Sequence, residues 1–227
     1  MPSEVFNNLP DETKKTLIDA LIDHYAEHPA TAPSLEDLAQ NSGLEPAELT
    51  ELFPNPEDFF APVQETLHAT KLQMVSDMTR PGNSLDTFAY MRYTVQMAVL
   101  FELKHPKLAK IERDHRVPYL PQMQLPAEDD PMEDSNPYKD LMVQGVLHDD
   151  IASWVDVDMA TFLLTTVISE CAPYLVERIG NKADPLRDGS VNIVYDPYVQ
   201  DLFDSFMDLF EAGMARDPQI RKDYYSK

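Results

Sequence analysis

The sequence contains only one cysteine and six glycines among its 227 residues. A single cysteine, Cys171, cannot form an internal disulfide and fits a reducing cytoplasm. So few glycines make tight β-hairpins and phosphate-cradling loops hard to build, because both need backbone angles that glycine adopts most readily. No run approaches the roughly 20 apolar residues of a membrane span, and the N-terminus lacks the features of a secretory signal. We therefore expect a cytoplasmic protein with no membrane partner.

Basic residues are also scarce, and the formal net charge is −22. Residues 1–70 carry fourteen acids, and Lys14 and Lys15 are their only two bases. A negative field of this kind repels nucleic acid and anionic membranes and favours basic partners. A well-solvated surface, or a host with salt-adapted acidic proteins, explains the same charge without any specific partner.

Catalytic and metal-binding motifs are missing as well. The sequence has no nucleophile elbow, no phosphate loop and no paired-cysteine motif. We therefore predict no catalytic residues, no metal and no cofactor. His24 and His28 have a spacing that can hold a metal on a helix, but the sequence offers no second pair of ligands, so we interpret them as exposed histidines at a helix end. Cys171 is interpreted as a small buried residue, because a redox sensor needs adjacent bases.

Apolar residues at helical spacing are what the sequence has in abundance, and they predict an all-α fold. The proline-rich stretch 117–137 is interpreted as a mobile acidic loop, with a binding motif as the alternative. Residues 191–195 have the composition of a short strand. The predicted helices cover residues 11–27, 34–43, 45–53, 57–78, 85–103, 108–116, 138–148, 157–179 and 198–215.

Three short helices near the N-terminus, with a tight glycine turn between the second and third, form a helix-turn-helix. In this motif the early residues of the third helix face the base edges of the major groove. Here the core positions are Leu38, Ala39, Gly43, Leu44, Leu49 and Phe53. Together with Tyr25 at the end of the first helix, this pattern resembles the head of the TetR family of repressors.

The resemblance continues into the second part of the chain, where Gly145 precedes an acidic turn and a long apolar helix. It implies a helix-turn-helix head at residues 1–56, joined by a long helix to a helical-bundle body at residues 57–227. The body of such proteins binds a small ligand and forms a homodimer through its last two helices. The residues that this similarity places at the dimer interface are Leu164, Ile168, Leu202, Phe206 and Phe210.

Methionine and aromatic side chains in the predicted body are candidates for the lining of an apolar ligand pocket. The alternative is that these residues simply fill the hydrophobic core, and for any single residue the sequence favours that alternative. The candidates are Met91, Tyr93, Met97, Phe101, Trp154, Phe162 and Thr165.

The residues that should face DNA depart from the family pattern. Thr50 stands where a phosphate-contacting tyrosine is usual, and Pro56 stands where a lysine is usual. The predicted recognition-helix positions are Glu45, Pro46, Ala47, Glu48, Thr50 and Glu51. Because lysine and arginine contacts to phosphate supply nearly all nonspecific affinity, three glutamates here disfavour operator binding. Two hypotheses follow: a ligand-responsive dimeric repressor with weak or altered DNA contacts, or a protein of the same shape that acts through a ligand or a basic protein partner.

Overall fold

The computed structural model describes residues 6, 8–77, 86–115, 137–193 and 195–216 of the chain. These residues form ten α-helices and two short 3₁₀ turns, and their extended pairing is limited to an isolated antiparallel bridge between Ile151 and Ala215. The predicted all-α class is therefore confirmed. The predicted proline-rich loop lies outside the described residues, except for Pro137, which begins a helix.

Two compact units divide the chain, and the predicted head at residues 1–56 lies inside the first. The first unit comprises Met1–Asp77 and His105–Tyr119, and the second comprises Met78–Lys104 and Leu120–Lys227. Helices of the first unit are α1 Asp11–Glu27, α2 Leu35–Ser42, α3 Pro46–Leu52, α4 Phe60–Asp77 and α6 Pro106–Asp114, with a 3₁₀ turn at Pro56–Phe59. Helices of the second unit are α5 Thr87–Lys104, α7 Pro137–Leu147, α8 Val157–Ile179, α9 Ala183–Arg187 and α10 Pro197–Met214, with a 3₁₀ turn at Gly180–Lys182.

Within the described residues, no single helix is long and apolar enough to cross a membrane. The bent pair Val157–Ile168 and Glu170–Arg187 passes the same criteria of length and composition when its two parts are taken together.

The prediction of a short strand at residues 191–195 is wrong for the part of it that the structure describes. Val191 lies in a bend, Ile193 and Tyr195 lie in turns, and Asn192 has no regular secondary structure. The backbone N–H of Val191 donates to the carbonyl of Pro185 at 3.0 Å, and that of Tyr195 donates to Asn192 at 2.9 Å. These local bonds satisfy the backbone groups that a strand would offer to a neighbour. Ile193 in this connection is buried.

The first unit is built around α1, which packs against α2, α4 and α6. Leu17, Leu21 and Tyr25 of α1 are buried, and their spacing of four residues places them on one face of the helix. The other buried residues of this core include Leu38 of α2, Leu49 and Leu52 of α3, Phe59, Val63 of α4 and Ile111 of α6. Each large apolar side chain that leaves water contributes about 1.5–3 kcal/mol. Burial of these side chains therefore holds the short helices α2 and α3 in one core with α1.

A buried ion pair joins α4 to α6 in the same unit. The ammonium group of Lys71 donates to the Glu112 carboxylate, and both side chains are almost fully buried. Burial lowers the pKa of Lys71, and the attraction to Glu112 opposes that shift. Removing one member of such a pair leaves an uncompensated buried charge, which costs several kcal/mol, on the order of 3–5.

In the second unit, the turn after α7 ties together the ends of three helices. The Asp150 carboxylate accepts hydrogen bonds from the backbone N–H and the hydroxyl of Thr87, at 2.9 and 3.0 Å, and so caps the start of α5. The Gly145 carbonyl near the end of α7 accepts from the backbone N–H groups of Asp150 and Ile151, at 2.9 and 3.0 Å. Ile151 also forms the bridge to Ala215, directly after α10. The glycine and acid that the sequence singled out therefore belong to one junction.

Replacing Gly145 by alanine is expected to destabilise the protein, because a Cβ at this position would lie 2.7 Å from both Ile151 Cδ1 and Thr87 Oγ1. The expected loss is about 1–2 kcal/mol, after allowance for the better helix propensity of alanine. Urea unfolding followed by circular dichroism measures it. Adding Ile151→Val removes the Cδ1 atom and should recover part of the loss. An unchanged or higher free energy of unfolding for Gly145→Ala would contradict the tight junction.

Candidate functional site

Helix α2 is capped at both ends by residues that its sequence predicts. The hydroxyl oxygen of Ser34 accepts from the backbone N–H of Asp37 at 3.1 Å, which satisfies one of the free donors of the first turn. At the other end Gly43 has a φ of 74°, a left-handed conformation that glycine adopts without the strain of a Cβ. Leu38 is buried between these ends. The turn that separates α2 from α3 therefore has the geometry of a helix-turn-helix.

Helix α3 starts with a capping box formed by two of the predicted DNA-facing glutamates. The Glu48 carboxylate accepts from the backbone N–H of Glu45 at 2.8 Å, and the Glu45 side chain accepts from the backbone N–H of Glu48. The positive end of the helix is thereby neutralised by carboxylates of the protein itself. The sequence interpretation missed this role, although a Glu-x-x-Glu spacing across the helix start is a signal for it.

The predicted recognition-helix residues all lie on the exposed side of α3. Leu49 and Leu52 point into the core, whereas the remaining side chains face solvent. The hydroxyl of Thr50 donates to the carbonyl of Pro46 at 2.9 Å, so its proton is already used within the helix. The exposed set is Glu45, Pro46, Ala47, Glu48, Thr50 and Glu51. This surface offers carboxylates and no cation.

Some basic side chains of the first unit belong to α6, which lies beyond residues 1–70 in the sequence. Lys107 donates to the Asp23 carboxylate of α1 at 2.6 Å, and that hydrogen bond raises the pKa of Lys107. Lys110 donates to the carbonyl of Ala26 at the other side of the same helix end. In the head itself, the Lys14 ammonium lies 4.9 Å from the centre of the Phe6 ring. These cations therefore serve intramolecular contacts.

The ligand-pocket candidates fall into two groups in the second unit. Met91, Tyr93, Met97 and Phe101 are buried along α5. In contrast, Trp154 is 75% exposed, and Phe162 and Thr165 of α8 also face solvent. The α5 residues thus share one helix and a buried environment, together with the polar side chains of Thr94 and Gln96.

A solved structure that resembles almost the whole chain is a transcriptional regulator. No family sequence model matches the chain, and no curated protein matches it by sequence. A TetR family transcriptional regulator from Chloroflexus aurantiacus J-10-FL is 28% identical, with 96% of this chain and 100% of that chain covered and a TM-score of 0.74. The chain has the fold of the TetR family. The resemblance that the sequence indicated is thereby confirmed.

Two more distant TetR-fold structures share the architecture at lower identity. CprB from Streptomyces coelicolor, solved in complex with its operator sequence, is 17% identical over 95% of this chain and 93% of that chain, with a TM-score of 0.51. The regulator FadR from Bacillus subtilis, solved in complex with stearoyl-CoA, is 14% identical over 79% of this chain and 96% of that chain, with a TM-score of 0.51.

The last two long helices of this TetR fold each expose an apolar face. On α10, Leu209 is 75% exposed, and the half-buried Phe206 and Phe210 have ring centres 5.1 Å apart. Leu202 is half-buried on the same helix. The exposed apolar residues of α8 are Met159, Phe162, Leu163 and Tyr174.

The predicted dimer-interface residues on α8 point into the core and not into solvent. Leu164 and Ile168 are 0% and 1% exposed within the single chain, so they belong to the core of the second unit. Met159 and Leu163 are each adjacent in sequence to a buried residue of α8, and they face solvent instead. Because α8 is apolar on both faces, the sequence alone does not distinguish its core face from its exposed face.

Proposed function

We propose that this protein is a dimeric, ligand-responsive transcriptional regulator whose contacts to operator DNA are weak or altered. The likeness to a TetR family transcriptional regulator over 96% of this chain and 100% of the other is the observation that carries the proposal. The helix-turn-helix geometry of α2 and α3 supports it, since Gly43 and Ser34 fix the turn and the cap of the motif. Such a regulator acts in the cytoplasm and has no catalytic step.

A dimer is proposed through the apolar faces of α8 and α10. Large exposed apolar side chains are normal one by one, but contiguous patches mark interfaces. Leu209, Phe206 and Phe210 of α10 supply one such patch, and Phe162 and Leu163 of α8 supply another. Two copies related by a two-fold axis would place each patch against the same patch of the partner, as isologous contacts require.

A small apolar ligand is proposed to bind along α5. Met91, Met97 and Phe101 supply apolar surface, and Tyr93 and Gln96 supply buried polar groups that fix orientation. The FadR neighbour was solved with stearoyl-CoA, which is a precedent for ligand binding in this fold. That structure does not identify the ligand of this chain. The ligand would act by favouring one spacing of the two heads in the dimer.

Selection of bound fragments from genomic DNA tests the regulatory function at two salt concentrations. A regulator should enrich fragments that share a two-fold symmetric sequence, and the enrichment should be stronger at low salt. The CprB neighbour, which shares the fold, was solved in complex with its operator sequence. Absence of any enrichment at low salt, with the oligomer and the helical content intact, would contradict the proposal.

The second candidate function is binding of a basic protein surface by the acidic head. The capping box favours it, because Glu45 and Glu48 occupy the N-terminal end of α3, and a helix N-terminus otherwise attracts phosphate. Glu51 extends the same acidic face. Protection of a defined operator in a footprint at physiological salt would exclude this alternative.

A further inference from the structure

A cavity of about 310 Å³, open to solvent over most of its extent, is lined by residues of the first unit. Tyr25 at the end of α1, Phe60 at the start of α4 and His115 after α6 form its aromatic walls, and the loop Pro29–Ala32 forms the rest. The volume is at the lower end of the range for small-molecule sites, roughly 300–1,000 Å³. Residues distant in sequence therefore meet around a space of ligand size.

The walls have a geometry that suits a flat ring. The rings of Phe60 and His115 are stacked, with centres 4.2 Å apart and planes 30° from parallel. Tyr25 meets both of them edge-on, at 5.1 and 5.8 Å. Aromatic groups prefer these offset-stacked and edge-to-face arrangements, so another planar ring added to the group gains the same contacts.

One polar atom in the wall lacks a hydrogen bond. Nε2 of His115 is buried and makes none within the part of the chain that the structure describes. A buried polar atom without a partner is unfavourable, and within the described residues no hydrogen bond to Nε2 fixes the imidazole in its present orientation. A ring turned about its Cβ–Cγ bond would present this nitrogen to an N–H donor of a ligand, with the proton of the neutral imidazole on Nδ1.

The charges near the cavity disfavour an anion. Glu27 follows Tyr25 by two residues, and Asp114 directly precedes His115. The nearby cation Lys110 is already used by the carbonyl of Ala26 and the carboxylate of Asp114. An anionic ligand would therefore meet repulsion without a compensating partner.

We propose that this cavity is a binding site for a small uncharged heteroaromatic molecule with one N–H group. The ring packs against the Phe60 side chain, and its N–H donates, in the plane of the imidazole, to Nε2 of the turned His115. The occupant also contacts the loop that leads into Ser34, the cap of α2, so it bears directly on the start of the helix-turn-helix. The site does not depend on the proposed regulatory function.

Titration of the full-length protein with indole tests the proposal, followed by two-dimensional amide NMR. We expect saturable shifts of the amide signals of Thr31, Ala32, Phe60 and His115. Filling the cavity with Ala32→Phe, at an exposed loop position, should weaken indole binding at least roughly tenfold. 1-Methylindole, which lacks the N–H, should bind roughly fivefold more weakly than indole.

Ala69→Phe is the matched control, because Ala69 is exposed on α4 and does not line the cavity. This variant should bind indole as the unchanged protein does. Shifts confined to the second unit, equal affinity of Ala32→Phe and the unchanged protein, or equal affinity of indole and 1-methylindole would each overturn the proposal.

Discussion

Replacing Glu45 by serine and both Glu48 and Glu51 by glutamine is expected to raise the affinity for nonspecific DNA about 10- to 100-fold at low salt. Two like charges about 4 Å apart repel by about 1 kcal/mol in water, so removing three carboxylates from a face against phosphate gives up to about 3 kcal/mol. A Ser-x-x-Gln start keeps a capping box, so α3 retains its N-terminal cap while losing the charges.

Fluorescence anisotropy with a labelled DNA duplex measures this change at two salt concentrations. The matched control replaces Glu65 and Glu177 by glutamine and Asp201 by asparagine, three exposed acids outside the helix-turn-helix. It alters the net charge equally, and we expect its affinity to change less than about threefold. An equal gain in both variants would mean that only net charge matters. No gain in either would mean that the head does not dock on DNA at all.

Leu209→Glu is expected to convert the proposed dimer into a monomer, with the dissociation constant raised at least about 100-fold. Leu209 is 75% exposed in the single chain, so the substitution costs little in the monomer. In a two-fold dimer through α10 the new carboxylate would be buried without a partner, opposite or near its own copy. Light scattering after size-exclusion chromatography should give about 25.8 kDa for the variant and twice that mass for the unchanged protein.

Leu72→Glu provides the control for this substitution. Leu72 is a leucine on α4 with 59% exposure, and it lies outside the two helices of the proposed interface. It should leave the oligomeric state unchanged. Phe162→Glu should act like Leu209→Glu if α8 shares the interface. A monomeric unchanged protein, or a dimeric Leu209→Glu variant, would contradict an interface through α10.

The helix boundaries were predictable because the side chains that begin and end helices act locally. Helix α8 runs from Val157 to Ile179 as predicted, since the Asp156 carboxylate accepts from the Met159 backbone N–H at 2.9 Å and Gly180 follows the last turn. Gly43 and Ser34 defined α2 in the same way. Local signals of this kind need no knowledge of the tertiary fold.

The orientation of apolar helices was not predictable in the same way. Trp154 and Phe162 were candidates for a buried pocket and are exposed, while Leu164 and Ile168 were candidates for a surface and are buried. A large apolar side chain is expected to be buried, but its identity does not show whether its own chain or a second copy covers it. The contribution of α6 to the first unit was missed for a related reason, because Ile111 comes from a distant part of the sequence.

The discontinuity of the first unit affects how the chain acquires its structure during synthesis. Ile111 and Glu112 of α6 leave the ribosome only after the whole of α5 has been made, yet they complete the core around Leu21 and pair with Lys71. Until then the nascent head lacks the Glu112 carboxylate and carries an open apolar surface. The helix-turn-helix therefore matures late for an N-terminal element, and a fragment ending at Asp77 would be missing part of its own interior.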